Sequence, residues 1–159
     1  MNQKVVEVEV RAILPSGGSC ALFMGNSRKV FVIHIDPTIG AAIANYLRGG
    51  LPARPLTYDL IANMLLGLGA KMERAVINEL RGGIYHARLI VSEQNEVHDN
   101  KIVEIDARSS DCIALAVRLK VPIFVSEQVW DEIEDVSELL EKMQSGEQEG
   151  PQGEDEKDD

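Results

Sequence analysis

Residues 71–92, KMERAVINELRGGIYHARLIVS, decide the fold. Residues 71–80 and 84–92 each predict a strand, with aliphatic residues interleaved among charged ones. Between them stands Gly82-Gly83. The type I′ turn of a two-residue hairpin needs positive φ at both central positions, and glycine meets that need without a steric penalty. An antiparallel hairpin is therefore expected at the centre of the chain.

Working outward toward the start, residues 4–14 (KVVEVEVRAIL) alternate. Val6, Val8, Val10, Ala12 and Leu14 are expected on one face, with Glu7, Glu9 and Arg11 on the other. Pro15-Ser16-Gly17-Gly18 predicts a turn, and 20–24 and 28–35 predict strands around Gly25-Asn26-Ser27. Asp36-Pro37 opens a helix, with Ile39, Ala42, Ile43, Tyr46 and Leu47 as its apolar stripe and Gly49-Gly50 as its stop. A second helix, carrying Leu60, Ile61, Met64, Leu65 and Leu68, is ended by Gly67 and Gly69.

Toward the other end, a polar turn at 94–100 precedes a strand at 101–106. A helix follows through Ile113, Ala114, Ala116, Val117 and Leu119, and residues 121–125 form a last short strand. Ser126 and Ser137 are expected to N-cap two short acidic helices. Hairpins cluster ahead of the helices, so the class is α+β with a largely antiparallel sheet rather than a βαβ series. One domain is expected over 1–143, and an acidic disordered tail over 144–159.

With 159 residues there is room for one core, and with 4% aromatic content that core is aliphatic. No secretory leader or membrane span is expected. Cys20 and Cys112 have no metal-finger spacing and predict buried thiols in a reducing cytoplasm. The net charge of −10 is unevenly spread: residues 1–124 hold 14 Lys and Arg against 12 Asp and Glu, whereas residues 125–159 hold 2 against 14. The body is near neutral, so overall acidity does not exclude a polyanionic substrate.

Two passages carry the candidate chemistry. Ala53-Arg54-Pro55 with Thr57 and Asp59 precedes Leu60-Ile61-Ala62, and Ala107-Arg108-Ser109 with Ser110 and Asp111 precedes Cys112-Ile113-Ala114. In the plain structural account, Thr57 and Ser110 cap helices and the aspartates face positive helix ends. In the functional account, a helix start flanked by Arg is an anion site, with Arg54 and Arg108 holding phosphate. Asp59, Asp106 and Asp111 would then hold Mg²⁺ or Mn²⁺ through oxygen ligands or act as a base. His34 predicts a core residue, His86 a side chain facing a cleft, and His98 a solvated one. Both motifs are expected at helix entrances, converging in space despite their separation along the chain.

The segment Arg54-Pro55-Leu56-Thr57-Tyr58-Asp59-Leu60 resembles R-P-x-T-H-D-L, and Ile105 through Ala116 resembles I-D-A-R-P-S-D-A-I-A-L-A. Their order, the intervening Ile84-Tyr85-His86-Ala87-Arg88-Leu89 and the following 121–125 are similar to the bifunctional nuclease (BFN) domain family, over roughly residues 4–130. The resemblance implies a single α+β domain that forms homo-oligomers and hydrolyses DNA and RNA. It makes Arg54, Thr57, Asp59, Arg108, Ser110 and Asp111 the site candidates, with Thr57, Ser110 and His86 toward the substrate. Three positions depart from the pattern: Tyr58 replaces the usual His, Ser109 the usual Pro, and His86 the more frequent Tyr. A tyrosine of ordinary pKa, about 10, is no general base at neutral pH. The alternatives to a nuclease are a non-catalytic oligomeric binding or regulatory module, and a small domain that binds a phosphorylated metabolite.

Overall fold

In the computed structural model, which describes residues 4–94 and 100–146, seven strands form one mixed sheet with five helices. The strands are β1 (Val5–Ser16), β2 (Ser19–Gly25), β3 (Val30–Ile35), β4 (Ala70–Arg81), β5 (Ile84–Gln94), β6 (Asn100–Arg108) and β7 (Ile123–Ser126). The helices are α1 (Pro37–Leu47), α2 (Thr57–Gly67), α3 (Ser109–Leu119), α4 (Glu127–Glu132) and α5 (Ser137–Ser145). Across the sheet the order is β3-β2-β1-β7-β4-β5-β6. Every pairing is antiparallel except β4 with β7. The class is α+β in a single domain, as the hairpin pattern predicts.

The central hairpin turns at Gly82 and Gly83 with φ of +58° and +77°, the positive pair that only glycine adopts freely. β7 enters between β1 and β4 and pairs with β1 over Val5 to Val8. One expectation for β1 is corrected. A bulge between Val10 and Ala12 shifts the register by one residue, which exchanges the two faces of the strand beyond it. Val6, Val8, Val10 and Ile13 thus pack on the main core, while Ala12 and Leu14 join Phe23, Val30 and Leu140 in a second cluster. β1 also runs on through Pro15, leaving the turn to Gly17 and Gly18.

Helix α3 lies at the centre of the main core, with Cys112 through Ala116 all buried. It packs against α1, α2, β4 and β5. Gly40 lets α1 approach β2 closely, since a Cβ there would fall 2.6 Å from the Cys20 sulfur. Both cysteines are free and buried.

Capping follows the sequence in part. Asp36 accepts from Thr38 N, with Pro37 in the first turn of α1, and Ser126 accepts from Val129 N at the start of α4. Ser137 does not cap. It is the first residue of α5, and Asp135 takes its N–H while also accepting from Val30 N. His34, expected in the core, is exposed on β3. Helix α5 continues through Gln144 to Ser145, whereas His98 and the chain beyond residue 146 lie outside the described residues.

Candidate functional site

Strand β6 passes into α3 without a loop, so Arg108 is at once the last strand residue and the N-cap of the helix. Ala107 and Arg108 therefore mark a helix entrance while still belonging to a strand. No side chain caps this helix start. Arg108 instead folds forward onto Asp111, one turn along: Arg108 Nε donates to Asp111 Oδ2 at 2.7 Å, and Nη2 donates to Oδ1 at 3.1 Å. This is the two-pronged geometry that suits a guanidinium and a carboxylate.

The other motif reaches the same carboxylate through Tyr58. Its hydroxyl donates to Asp111 Oδ1 at 2.7 Å, across 53 positions of sequence. Tyr58 is buried, whereas the Arg108 side chain is 72% exposed and that of Asp111 is 26% exposed. The cluster is anchored on one side and open on the other. Burial alone would raise Asp111. The bonds from Arg108, then that from Tyr58, outweigh burial and hold the carboxyl below its ordinary range. Tyr58 shifts the opposite way: burial first, then its bond to Asp111, push the phenol well above its usual value. At neutral pH this is an ionised carboxylate held by a neutral phenol and a guanidinium.

Asp59, one residue on, is turned elsewhere. Arg118 Nε donates to Asp59 Oδ1 at 2.6 Å, and the Leu56 backbone N–H donates to Oδ2 at 2.8 Å. Asp59 is only 5% exposed, so it closes the first turn of α2 and locks α2 to the far end of α3. Here too burial raises the carboxyl, while Arg118 and then the Leu56 N–H lower it further, with a net shift downward. The Arg118 guanidinium lies 5.9 Å from the Tyr46 ring centre. The buried Tyr46 hydroxyl makes no hydrogen bond of ordinary geometry, though its proximity adds to the lowering of Asp59.

The remaining candidates divide between the two faces of the sheet. Thr57 is the first residue of α2 and Ser110 the second of α3, and neither hydroxyl caps its helix. Thr57 borders a groove of about 700 Å³ with Tyr58, Arg108 and Asp111 on its polar side, and with Ile39, Leu56, Ile61, Leu89 and Ile105 on its apolar side. Ser110 borders a smaller cavity of about 360 Å³ on the other side of Arg108, with Asp36, Tyr85 and Ser109. Arg54 is exposed and borders neither cavity.

His86 is opposite Arg108 in the β5–β6 register. Its neighbours Tyr85 and Ala87 pack on the helix side, so alternation turns His86 to the open face. The cleft position belongs to Tyr85. Asp106, paired with Arg88, is on that open face as well, because Ile105 and Ala107 border the groove. Among the described residues no group of three or more His, Cys, Asp or Glu side chains is placed to hold a metal ion. Asp59, Asp106 and Asp111 do not gather around one point.

Sequence reasoning missed Arg118, the partner of Asp59. Its signal was available: in SSDCIALAVRL the only charged residues are Asp111 and Arg118, and a charge on so buried a helix calls for a partner. It missed as well the nearby Asp36 carboxylate, which adds a second negative charge beside Arg108. Cys112, next to Asp111, is not a reactive thiol, since burial and then the charges of Asp111 and Asp106 push it up to about 12.

With this geometry in view, two comparisons bear on it. A family model described as the bifunctional nuclease domain matches residues 22–138. Uncharacterized proteins from two strains of Mycobacterium tuberculosis are each 36% identical to the chain over 104 residues, covering 65% of this chain and 58% of theirs. The chain thus spans less than two thirds of the length of these relatives. No helix among the described residues is long and apolar enough to cross a membrane.

Proposed function

Because this chain belongs to the bifunctional nuclease domain family, we propose that it binds nucleic acid and hydrolyses phosphodiester bonds of DNA and RNA with low sequence specificity, at the Tyr58–Asp111–Arg108 cluster. The observation that carries the proposal is the joining of the two motifs at Asp111, on the polar side of an open groove. An ionised carboxylate offers about four acceptor positions. Tyr58 and Arg108 fill three of them, and the fourth, on Oδ2, is left for a water molecule. Arg108 spends Nε and Nη2 on Asp111, and among the described residues Nη1 has no hydrogen-bond partner. A phosphate oxygen on Nη1 would be neutralised by the same guanidinium that fixes Asp111, while Oδ2 keeps a position that can orient a water, and charge neutralisation and water positioning are the two contributions phosphodiester hydrolysis needs. Tyr58 orients Asp111 and does not abstract protons.

Among the described residues Asp59, Asp106 and Asp111 do not form a shared cation site. Metal assistance would take the form of Asp111 alone together with substrate phosphate oxygens, a mode open to Mg²⁺. The free, buried cysteines suit a reducing compartment, and cytoplasmic location belongs to the same proposal.

The test is a nuclease assay on highly purified protein, with single- and double-stranded DNA and RNA, in Mg²⁺, Mn²⁺ or EDTA. Asp111→Ala is expected to lower the rate at least about 100-fold, the usual scale for a positioned base or water-orienting group. Equal rates for wild type and variant would assign the activity to a contaminant and remove the proposal. The second reading, a non-catalytic module that keeps the fold, is favoured by one observation: Asp59, which stands at the Asp of the pattern R-P-x-T-H-D-L, is spent on a structural ion pair.

A further inference from the structure

The smaller cavity, about 360 Å³ on the other side of Arg108, is built around the start of α3. Its wall includes Arg108, Ser109 and Ser110, which are the N-cap and the first two residues of that helix. Ser109 is 7% exposed and Ser110 8%. Buried hydroxyls are ordinarily hydrogen-bonded, because leaving one unpaired is costly. Yet among the described residues neither of these has a side-chain or backbone partner. Both stand past the capping position of α3, and the carbonyls three and four residues back, which a serine inside a helix can use, belong to β6. The cavity is the space left to them.

Other donors border the same space. No side chain caps α3, so the N–H groups of its first turn stand at the positive end of the helix with no side chain upon them. His34 offers a ring N–H in either protonation state. Tyr85 offers its phenol, which burial pushes up and so keeps protonated at neutral pH. Asp36 is the one carboxylate in the wall. It stands exposed before α1, where Thr38 N and Oγ1 both donate to its Oδ1. One negative charge beside the cavity leaves room for a single anionic group and disfavours a polyphosphate.

We propose that this cavity is a phosphate subsite, with the Ser109 and Ser110 hydroxyls and the first N–H groups of α3 as its donors, and that it holds the backbone phosphate next to the one hydrolysed. The polar wall selects the ligand. Every polar group in it except Asp36 can donate, and a phosphate takes several donors at once at a helix start. Arg108 borders this cavity and the larger groove alike, so one guanidinium stands between two neighbouring phosphates of the strand. The anion site follows from the cavity alone, whereas its assignment to a strand phosphate rests on the nuclease reading.

Inorganic phosphate, titrated into the full chain and followed by amide NMR, tests the subsite without any catalytic step. The amides of Ser109, Ser110 and Tyr85 are expected to shift along one saturable curve. Ser109→Pro removes an N–H and a hydroxyl together. Proline is favoured in the first turn of a helix, and Arg108, at φ −63° and ψ 144°, already has the extended backbone required before it. This variant should keep its thermal midpoint and bind phosphate at least about tenfold more weakly. Ser110→Ala leaves the backbone untouched and should weaken binding about fivefold, which decides the matter should Ser109→Pro fail to fold. Shifts confined to Thr57 and Tyr58 would put phosphate on the groove side of Arg108 only and overturn the subsite. Unweakened binding in both variants would overturn it too, as would no binding in the tens-of-millimolar range. A phosphorothioate-linked thymidine dinucleotide, with and without a terminal phosphate, tests the strand. The terminal phosphate is expected to tighten binding at least about tenfold in wild type and less in Ser109→Pro. Equal affinity of the two dinucleotides overturns the assignment to a strand and leaves the cavity to a small phosphorylated molecule. Phosphate binding here without any Asp111-dependent nuclease activity would remove the catalytic reading and keep the anion site.

Discussion

Asp59 and Asp111 occupy equivalent places in two similar passages, each near the start of an 11-residue helix, yet they have opposite uses. Asp59 is turned into the protein, where a guanidinium and a backbone N–H satisfy both of its oxygens. Asp111 faces a groove, its carboxylate bonded to Tyr58 and Arg108 with one acceptor position left toward solvent. The difference does not lie in the residue or the local pattern. It lies in helix rotation: successive residues turn by about 100°, so in α2 Tyr58 points toward the groove and Asp59 toward Arg118. In α3 the carboxylate itself has the groove-facing position. A repeated motif thus yields one fastening and one candidate reacting group.

The largest expected effect tests that division directly. Asp59→Ala strands the Arg118 guanidinium and the Leu56 N–H and should destabilise the fold by about 2–3 kcal/mol, somewhat below the cost of breaking a fully buried pair because Arg118 keeps some exposure. Asp111→Ala loses a pair that faces solvent and leaves the Tyr58 hydroxyl at an open groove where water can replace the acceptor, so it should cost about 1–2 kcal/mol. Chemical denaturation of both variants, read beside the nuclease assay, should give crossed outcomes: Asp59→Ala less stable but active where folded, Asp111→Ala stable but inactive. Equal destabilisation by the two substitutions would break the comparison.

A smaller effect appears on acidification. Both carboxyls are lowered in the folded state. Their contribution is therefore fully present above the unfolded value near about 4 and is lost as pH falls through the lowered folded value. Stability of the wild type should drop steeply below about pH 4. Asp59→Asn should flatten that limb more than Asp111→Asn does, because its partners are more deeply held. Parallel limbs in the two variants would show that the pairs are energetically alike.

Much of this architecture was legible because it is punctuated. Gly82-Gly83 and Asp36-Pro37 announce a turn and a helix start through backbone constraints that act locally, and the structure has both. What escaped reading depends on registration between segments. Strand β1 looked one-faced until the bulge beyond Val10 exchanged its sides, which no alternation count reveals. His86 was expected at a cleft, but its place in β5 sends Tyr85 inward and His86 outward. At the site, the meeting of the two motifs was anticipated, whereas the exchange of partners was not. Arg118 is 59 residues from Asp59, and Tyr58 is 53 from Asp111, and only the crossing of α2 over α3 brings either pair together.

The smallest effect concerns the hydroxyls that accompany the two aspartates. Thr57 and Ser110 carry the helix-start pattern, for which a capping hydroxyl would be worth about 1 kcal/mol. In the fold Thr57 is already inside the helix and exposed, and the N-cap position belongs to Leu56, whose own N–H is served by Asp59. Thr57→Ala should therefore change stability by no more than a few tenths of a kcal/mol, the scale of a surface substitution. Ser126 supplies the reference within the same molecule: its oxygen accepts from Val129 N at the start of α4, and Ser126→Ala should cost about 1 kcal/mol. The pair of variants, compared in one denaturation experiment, separates a hydroxyl that caps from one that only occupies a capping sequence. If Thr57→Ala costs as much as Ser126→Ala, the hydroxyl is holding the helix start and Asp59 is not sufficient to close the first turn. If Thr57→Ala leaves stability intact and instead raises KM for nucleic acid, the residue belongs to the groove it borders, and the passage around Asp59 serves the site through its threonine as well as its tyrosine.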